Sequence, residues 1–115
     1  MPATDDLSRV FAALADPTRR DILSRLGDEP ITVGALAAHY PVSRPAISQH
    51  LSVLEKAGLV SRTVNAQWRE VRVSETGLDE VGQWIATQRA EWSERFGFLD
   101  QHLRAKRAAR NGEQQ

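Results

Sequence analysis

A mainly α-helical fold with one small β-hairpin follows from three features of this sequence. Apolar residues recur at three- and four-residue steps through most of the chain, the period of amphipathic helices. Pro17, Gly27, Pro41 and Gly58 interrupt that pattern and cut it into separate helices. Between Leu59 and Val73 the helical period is lost and two short apolar and β-branched runs flank a turn. The predicted order is α-α-α-α-β-β-α. Two short helices joined by a three-residue turn, with a hairpin directly after the second, make a winged helix-turn-helix.

Leu7, Val10, Phe11 and Leu14 form one apolar stripe, so the first helix is expected from about Asp6 to Ala15. Asp16 suits the N-cap of the second helix, and Pro17 suits its first position. Ile22, Leu23 and Leu26 should face inward, and Gly27 is placed to end that helix. After a turn at Asp28-Glu29-Pro30, Thr32 should cap a third helix, about Val33 to Tyr40, which Pro41 cannot continue. Val42 is expected to plug the turn. Ser43 should cap a fourth helix, about Arg44 to Ala57, with Ile47, Leu51 and Leu54 buried and Gly58 at its end. Leu59–Val64 and Trp68–Val73 read as strands joined by Asn65-Ala66-Gln67, where Asn65 suits a left-handed turn residue. In the second strand Arg69, Val71 and Val73 share a face. A last helix is expected from Glu75 to about Ala105, with Leu78, Val81, Ile85, Trp92, Phe96, Leu99 and Leu103 near one line. Gly77 and Gly82 should weaken its early turns, and the polar tail from Arg107 should fray.

With 115 residues the chain is expected to be a single domain, with the helix-turn-helix at 32–57 and the wing at 59–73. It has no cysteine, which excludes disulfides, thiolate metal sites and thiol redox sensing. No apolar run approaches a membrane span, and Met1-Pro-Ala-Thr-Asp-Asp lacks the basic-then-apolar order of a secretory leader. A cytoplasmic, nucleoid-associated protein without a membrane partner is therefore expected. Net charge is zero, but its distribution is uneven. Residues 43–73 hold five basic groups (Arg44, Lys56, Arg62, Arg69, Arg72) against two acidic ones (Glu55, Glu70). Acidic stretches lie on both sides of this basic zone, which is where double-stranded DNA would be expected.

The helix-turn-helix signal is TVGALAAHYPVSRPAISQHL, Thr32 to Leu51. Ile47 and Leu51 should lock the fourth helix onto the third, leaving Arg44, Pro45, Ser48, Gln49 and Ser52 on its outer face. These are short or hydrogen-bonding side chains, as a major groove requires. Arginine pairs bidentately with guanine and glutamine with adenine. Ser43, His50, Arg62 and Arg69 are the expected backbone contacts, the two arginines through the wing. Trp68, at the wing tip, either meets DNA or folds back onto the domain. His50 either contacts DNA or bonds within the domain. Arg19 and Arg20 either touch phosphate or pair with Asp16 and Asp21, and surface pairing is the expected reading.

The stretches LADPTRRDIL (Leu14 to Leu23) and PVSRPAISQHLSVLEKAGLV (Pro41 to Val60), with the spaced tryptophans of the last helix, resemble the ArsR/SmtB family of small bacterial winged-helix repressors. The resemblance implies a homodimer built from the helices at 6–15 and 75–105, with two recognition helices in successive major grooves. Leu7, Val10, Phe11, Leu78, Val81, Ile85, Trp92, Phe96, Leu99 and Leu103 are then the expected dimer interface. It carries Ser43, Arg44, Ser48, Gln49 and His50 over as the recognition segment, and it implies repression, relieved in some members by an inducer. Metal-sensing members place a Cys-x-Cys pair where this chain has Thr32-Val-Gly-Ala. Asp100-Gln-His102 supplies half of a second family metal site, but its partner stretch, Ala108 to Gln115, has only Glu113. The sequence resembles the metal-free branch, and no metal or cofactor is expected.

Other classes fit less well. No nucleophile stands near a base, no glycine-rich phosphate loop exists and the carboxylates are scattered, so an enzyme is not expected. A helix-turn-helix used for protein contacts would want an apolar or acidic fourth-helix face. A small-molecule effector, its identity unknown, stays open, with Trp84, Trp92 and Phe96 as the aromatic set that would line a pocket.

Overall fold

Four side chains start the first four helices. Asp5 accepts from the Ser8 N–H at 2.7 Å and opens α1, Asp6–Leu14. Asp16 accepts from the Arg19 N–H at 3.0 Å and opens α2, Pro17–Arg25. Thr32 opens α3, Val33–Ala37, and Ser43 opens α4, Arg44–Lys56. Each cap satisfies an N–H that the helix itself leaves unpaired. Strands β1 (Ile31–Thr32), β2 (Val60–Asn65) and β3 (Trp68–Val73) and the helix α5 (Glu75–Glu113) complete the fold. This computed structural model describes residues 5–27 and 29–113; residues 1–4, on which the leader reading partly rests, and Asp28 of the second turn lie outside them. The described residues fall into two compact units, one ending at Val81 and one beginning at Gly82.

The core of the first unit is the inner face of α4, with Ile47, Leu51 and Leu54 fully buried against Ile22 of α2, Leu36 of α3 and Val71 of β3. From α1, Val10 and Ala13 enter that core, whereas Phe11 stays 40% exposed. The turn before α4 is not plugged by Val42, which is 48% exposed. Tyr40 packs against the core instead. α3 is shorter than the spacing suggested, because its end tightens: the His39 and Tyr40 N–H groups bond three residues back, to Leu36 and Ala37. Gly27 takes no left-handed turn; α2 ends on an extended Leu26.

The hairpin belongs to a three-stranded antiparallel sheet in the order β1-β3-β2. β1 has only two residues, Ile31 opposite Val71 and Thr32 opposite Glu70, too short to leave an alternation in the sequence. Asn65 pairs with Trp68, so the turn is Ala66-Gln67, and Ala66, not Asn65, takes the left-handed conformation (φ 57°). Gly58 does so at the end of α4 (φ 74°), and its carbonyl accepts the Gly77 N–H at 2.9 Å. α5 continues past Arg107 to Glu113, because nothing before Gly112 breaks it and Arg104, Lys106, Arg107 and Arg110 suit a helix C-terminus. Among the described residues no helix is long and apolar enough to cross a membrane.

Arg19 and Arg20 do not make the surface pairs expected of them. α1 has no basic residue in its own last turn. Arg19 supplies one from α2, donating through Nε to the Ala13 carbonyl (2.8 Å) and through Nη2 to that of Ala12 (3.1 Å). Arg20 donates to the Leu14 carbonyl at 2.7 Å. The α1–α2 corner is thus closed by two cations on the carbonyl end of a helix dipole.

Asp21 is taken by others. It accepts from the Tyr40 hydroxyl at 2.7 Å and from Arg25 at 2.9 Å, which ties α2 to the turn before α4. These two donors, Tyr40 first, hold the Asp21 carboxyl below its ordinary value. Burial, and then the Asp21 carboxylate, push the Tyr40 phenol up to about 12. The fold therefore favours the neutral phenol. That stabilisation is complete below pH 10 and is lost as the pH rises through about 12. Tyr40 is the single tyrosine, so the ultraviolet absorbance of tyrosinate reports it alone. Its midpoint should lie near 12 in the folded chain and fall towards 10 in Asp21→Asn. A folded midpoint already at 10 would mean that the contact does not form.

Candidate nucleic-acid interface

α4 buries Ile47, Leu51 and Leu54 and turns its other side outward. Arg44, Pro45 and Gln49 are exposed on that side, and Ser48 and Ser52 are half-buried. All five expected base-reading residues thus lie on the outward side. Ser43 is also exposed, but its hydroxyl is occupied in capping the helix, accepting from the Ala46 N–H at 3.2 Å. His50 is half-buried, and its Nδ1 stands 3.4 Å from Nη1 of Arg19. A guanidinium only donates, so Nδ1 can take part in this contact only as an acceptor. The ring thus stands within reach of a bond inside the domain.

The wing stands beside this face and closes a cleft of about 700 Å³ lined by Arg44, Pro45, Ser48, Glu55, Arg62 and Arg69, among others. Strand register explains which wing residues enter it. Arg62 is paired with Val71 and Val64 with Arg69, and directly opposed residues share a face of a sheet. Val71 is fully buried, so Arg62 emerges on the inner face, towards α4. It donates to Ser52 Oγ at 3.0 Å and, at the limit of a hydrogen bond, to Ser48 Oγ at 3.5 Å. It also pairs with Glu55 at 3.2 Å. Arg62 is thus engaged inside the protein and does not stand out as a phosphate contact. Arg69 is exposed at the cleft edge, and its side chain makes no hydrogen bond or ion pair among the described residues.

A second hollow, of about 470 Å³, runs from the start of α3 to the wing tip and shares Arg44 and Arg69 with the first. The Arg44 guanidinium lies over Gly34, so close that a Cβ there would meet it at 3.0 Å. Trp68 helps to line this hollow and is 57% exposed.

Sequence reasoning missed Glu55. Its spacing of three from Ser52 could have placed it on the α4 face, but its partner could not be named without the β2 register.

Of the expected dimer residues, Val10 and Val81 are buried in the core of one chain. Leu7 is partly buried against the same core. Phe11 and Leu78 are exposed in the first unit. In the second unit Ile85, Trp92, Phe96, Leu99 and Leu103 are all exposed and repeat at helical spacing along α5. Asp100 pairs with Arg104 at 3.0 Å.

The sequence pattern of the helix-turn-helix domain family matches residues 14–63. The HTH-type transcriptional regulator Rv2034 of Mycobacterium tuberculosis is 50% identical over 70 residues, 61% of this chain and 65% of that protein. The transcriptional repressor SdpR of Bacillus subtilis is 35% identical over 69% of this chain and 88% of its own length. Among solved structures, an ArsR-like transcriptional regulator from Rhodococcus sp. RHA1 is 34% identical, covers 87% of this chain and 92% of its own, and superposes with a TM-score of 0.77. The homodimeric winged helix-turn-helix DNA-binding domain Mb0332 of Mycobacterium bovis, a possible ArsR-family regulator, is 25% identical, with a TM-score of 0.58 over 80% of this chain and 82% of that one. The shared fold and the extent of these matches establish that the chain belongs to the ArsR family of winged helix-turn-helix transcriptional regulators.

Proposed function

We propose that the chain is a homodimeric repressor that binds an inverted-repeat operator, with α4 in the major groove and the wing along the neighbouring backbone. The observation that carries this reading is the α4 face: polar, slightly basic, exposed at Arg44, Pro45 and Gln49, with Arg69 at its edge. Arg44 and Gln49 are its base readers. Arg69 is its clearest phosphate contact, with His50 as a further one. The names of SdpR and Mb0332 support repression and dimerisation. So does the apolar row on α5, since exposed large hydrophobics at helical spacing are costly unless a partner covers them. A second copy supplies that cover, with Phe11 and Leu78 as further apolar surface. Such a protein works in the cytoplasm, on the nucleoid, and an inducer would act by favouring a dimer geometry that no longer matches the grooves.

Selection of genomic fragments by the purified protein, followed by footprinting at two salt concentrations, tests this. The expected result is a protected inverted repeat with half-sites about one DNA turn, roughly 34 Å, apart. Arg44→Ala and Gln49→Ala should each cost about 1–3 kcal/mol and loosen the preference at one position. Arg69→Ala should weaken all sequences alike and reduce the salt slope by about one. No preferred site at low salt, or base preferences untouched in both α4 variants, would defeat the assignment.

A further inference from the structure

Ser48 and Ser52 stand one turn apart on the same side of α4. A serine within a helix often turns its hydroxyl back to the carbonyl four residues earlier. Ser24 does so here, donating to the Arg20 carbonyl at 3.1 Å. Neither Ser48 nor Ser52 makes that bond among the described residues. Each instead receives a hydrogen bond from Arg62, the one to Ser52 short at 3.0 Å and the one to Ser48 long at 3.5 Å. Because a guanidinium has donors and no acceptor, it occupies a lone pair on the serine oxygen. The hydroxyl hydrogen is then directed away from the guanidinium. Glu55, also on α4, accepts from the same Nη2 at 3.2 Å and helps to hold the guanidinium in place.

We propose that Arg62 is a specificity-positioning residue: anchored on Glu55, it holds the Ser52 hydroxyl, and more weakly that of Ser48, as a hydrogen-bond donor towards the bases. This rests on α4 being the base-reading helix. A serine in a groove is ordinarily ambiguous, because it donates or accepts according to the base it meets. With its hydrogen directed outward and a positive charge beside its oxygen, it favours bases that present acceptors in the major groove. Those are the guanine N7 and O6, the adenine N7 and the thymine O4. The cytosine amino group, which only donates, is disfavoured. The device also accounts for an arginine on the inner face of a wing, at a register position next to the core, where it is withheld from phosphate.

The test compares affinities for every single-base variant of the selected operator, using the full chain and its Arg62→Met, Arg62→Lys, Ser48→Ala and Ser52→Ala variants. The expected result is that Arg62→Met and Ser52→Ala lose their discrimination against cytosine at the same one position, by about fivefold or more. Arg62→Lys, which keeps the charge but has one ammonium in place of a fork, should retain part of it. Preferences set by Arg44 and Gln49 should persist in all four variants. The proposal is overturned if Arg62→Met weakens every sequence by the same factor and flattens the salt slope by about one, the behaviour of a phosphate contact. It is also overturned if the Arg62 and Ser52 variants change different positions. Should Arg62→Met fail to fold, Arg62→Lys and Ser52→Ala decide by the same criterion of a shared position. If Arg44→Ala and Gln49→Ala change base preference while these variants do not, only the positioning role falls. If none of them does, the reading of α4 itself falls.

Discussion

Replacing Gly77 by alanine should lower the unfolding free energy by about 2–3 kcal/mol, the cost of forcing an extra carbon into a packed contact. A Cβ at this position would lie 2.6 Å from the Ala57 carbonyl oxygen and 3.0 Å from that of Gly58. Both obstacles are backbone, so no rotamer change relieves them. The start of α5 would have to lift from the α4–β2 corner, stretching the hydrogen bond from the Gly77 N–H to Gly58. Gly82→Ala in the same helix is the control. A Cβ there would meet nothing within 4 Å, so the variant should gain about 0.5–1 kcal/mol from helix propensity. Urea unfolding of the two variants, compared at unchanged m-value, reads both effects. Equal behaviour of the two would refute the close approach at Gly77.

Arg19→Ala should be nearly as damaging, costing about 2–3 kcal/mol, because hydrogen bonds to a charged group are worth roughly 1.5–3 kcal/mol and Arg19 makes two to carbonyls at the end of α1. It also removes the donor facing His50. Arg19→Lys should recover only part of the loss, since one ammonium cannot reproduce the fork that spans Ala12 and Ala13. Arg25→Ala provides the contrast. Arg25 pairs with Asp21 on the surface, with 42% and 49% of the two side chains exposed, and such pairs contribute at most about 1 kcal/mol. Thermal melts that ranked Arg25→Ala as worse than Arg19→Ala would show that the corner is not held by the arginine caps.

In the sequence Arg19 reads as a surface cation near an acidic neighbour. What changes that reading is distance in space. The carbonyls of Ala12 and Ala13 come within reach of Arg19 only after Asp16 and Pro17 have turned the chain. Arg62 shows the same limit. Its charge was legible, and so was its place in a strand, but whether it faced DNA or α4 depended on the β2–β3 register. A shift of one residue reverses the face of every side chain in a strand.

Periodicity and punctuation in the sequence determined most of the helices, their caps and the outward row on α4, because these depend on contacts within a few residues. Tertiary structure alone decided the rest. It packed Tyr40 against the core and left Val42 outside, since Tyr40 is tied to Asp21 of α2. It recruited Ile31 and Thr32 as a third strand, since a two-residue strand exists only through its partner. It also distinguished Gly77 from Gly82, one pressed against the backbone of another element and the other open. These outcomes depend on distances between segments far apart in the chain, which no local pattern of residues encodes.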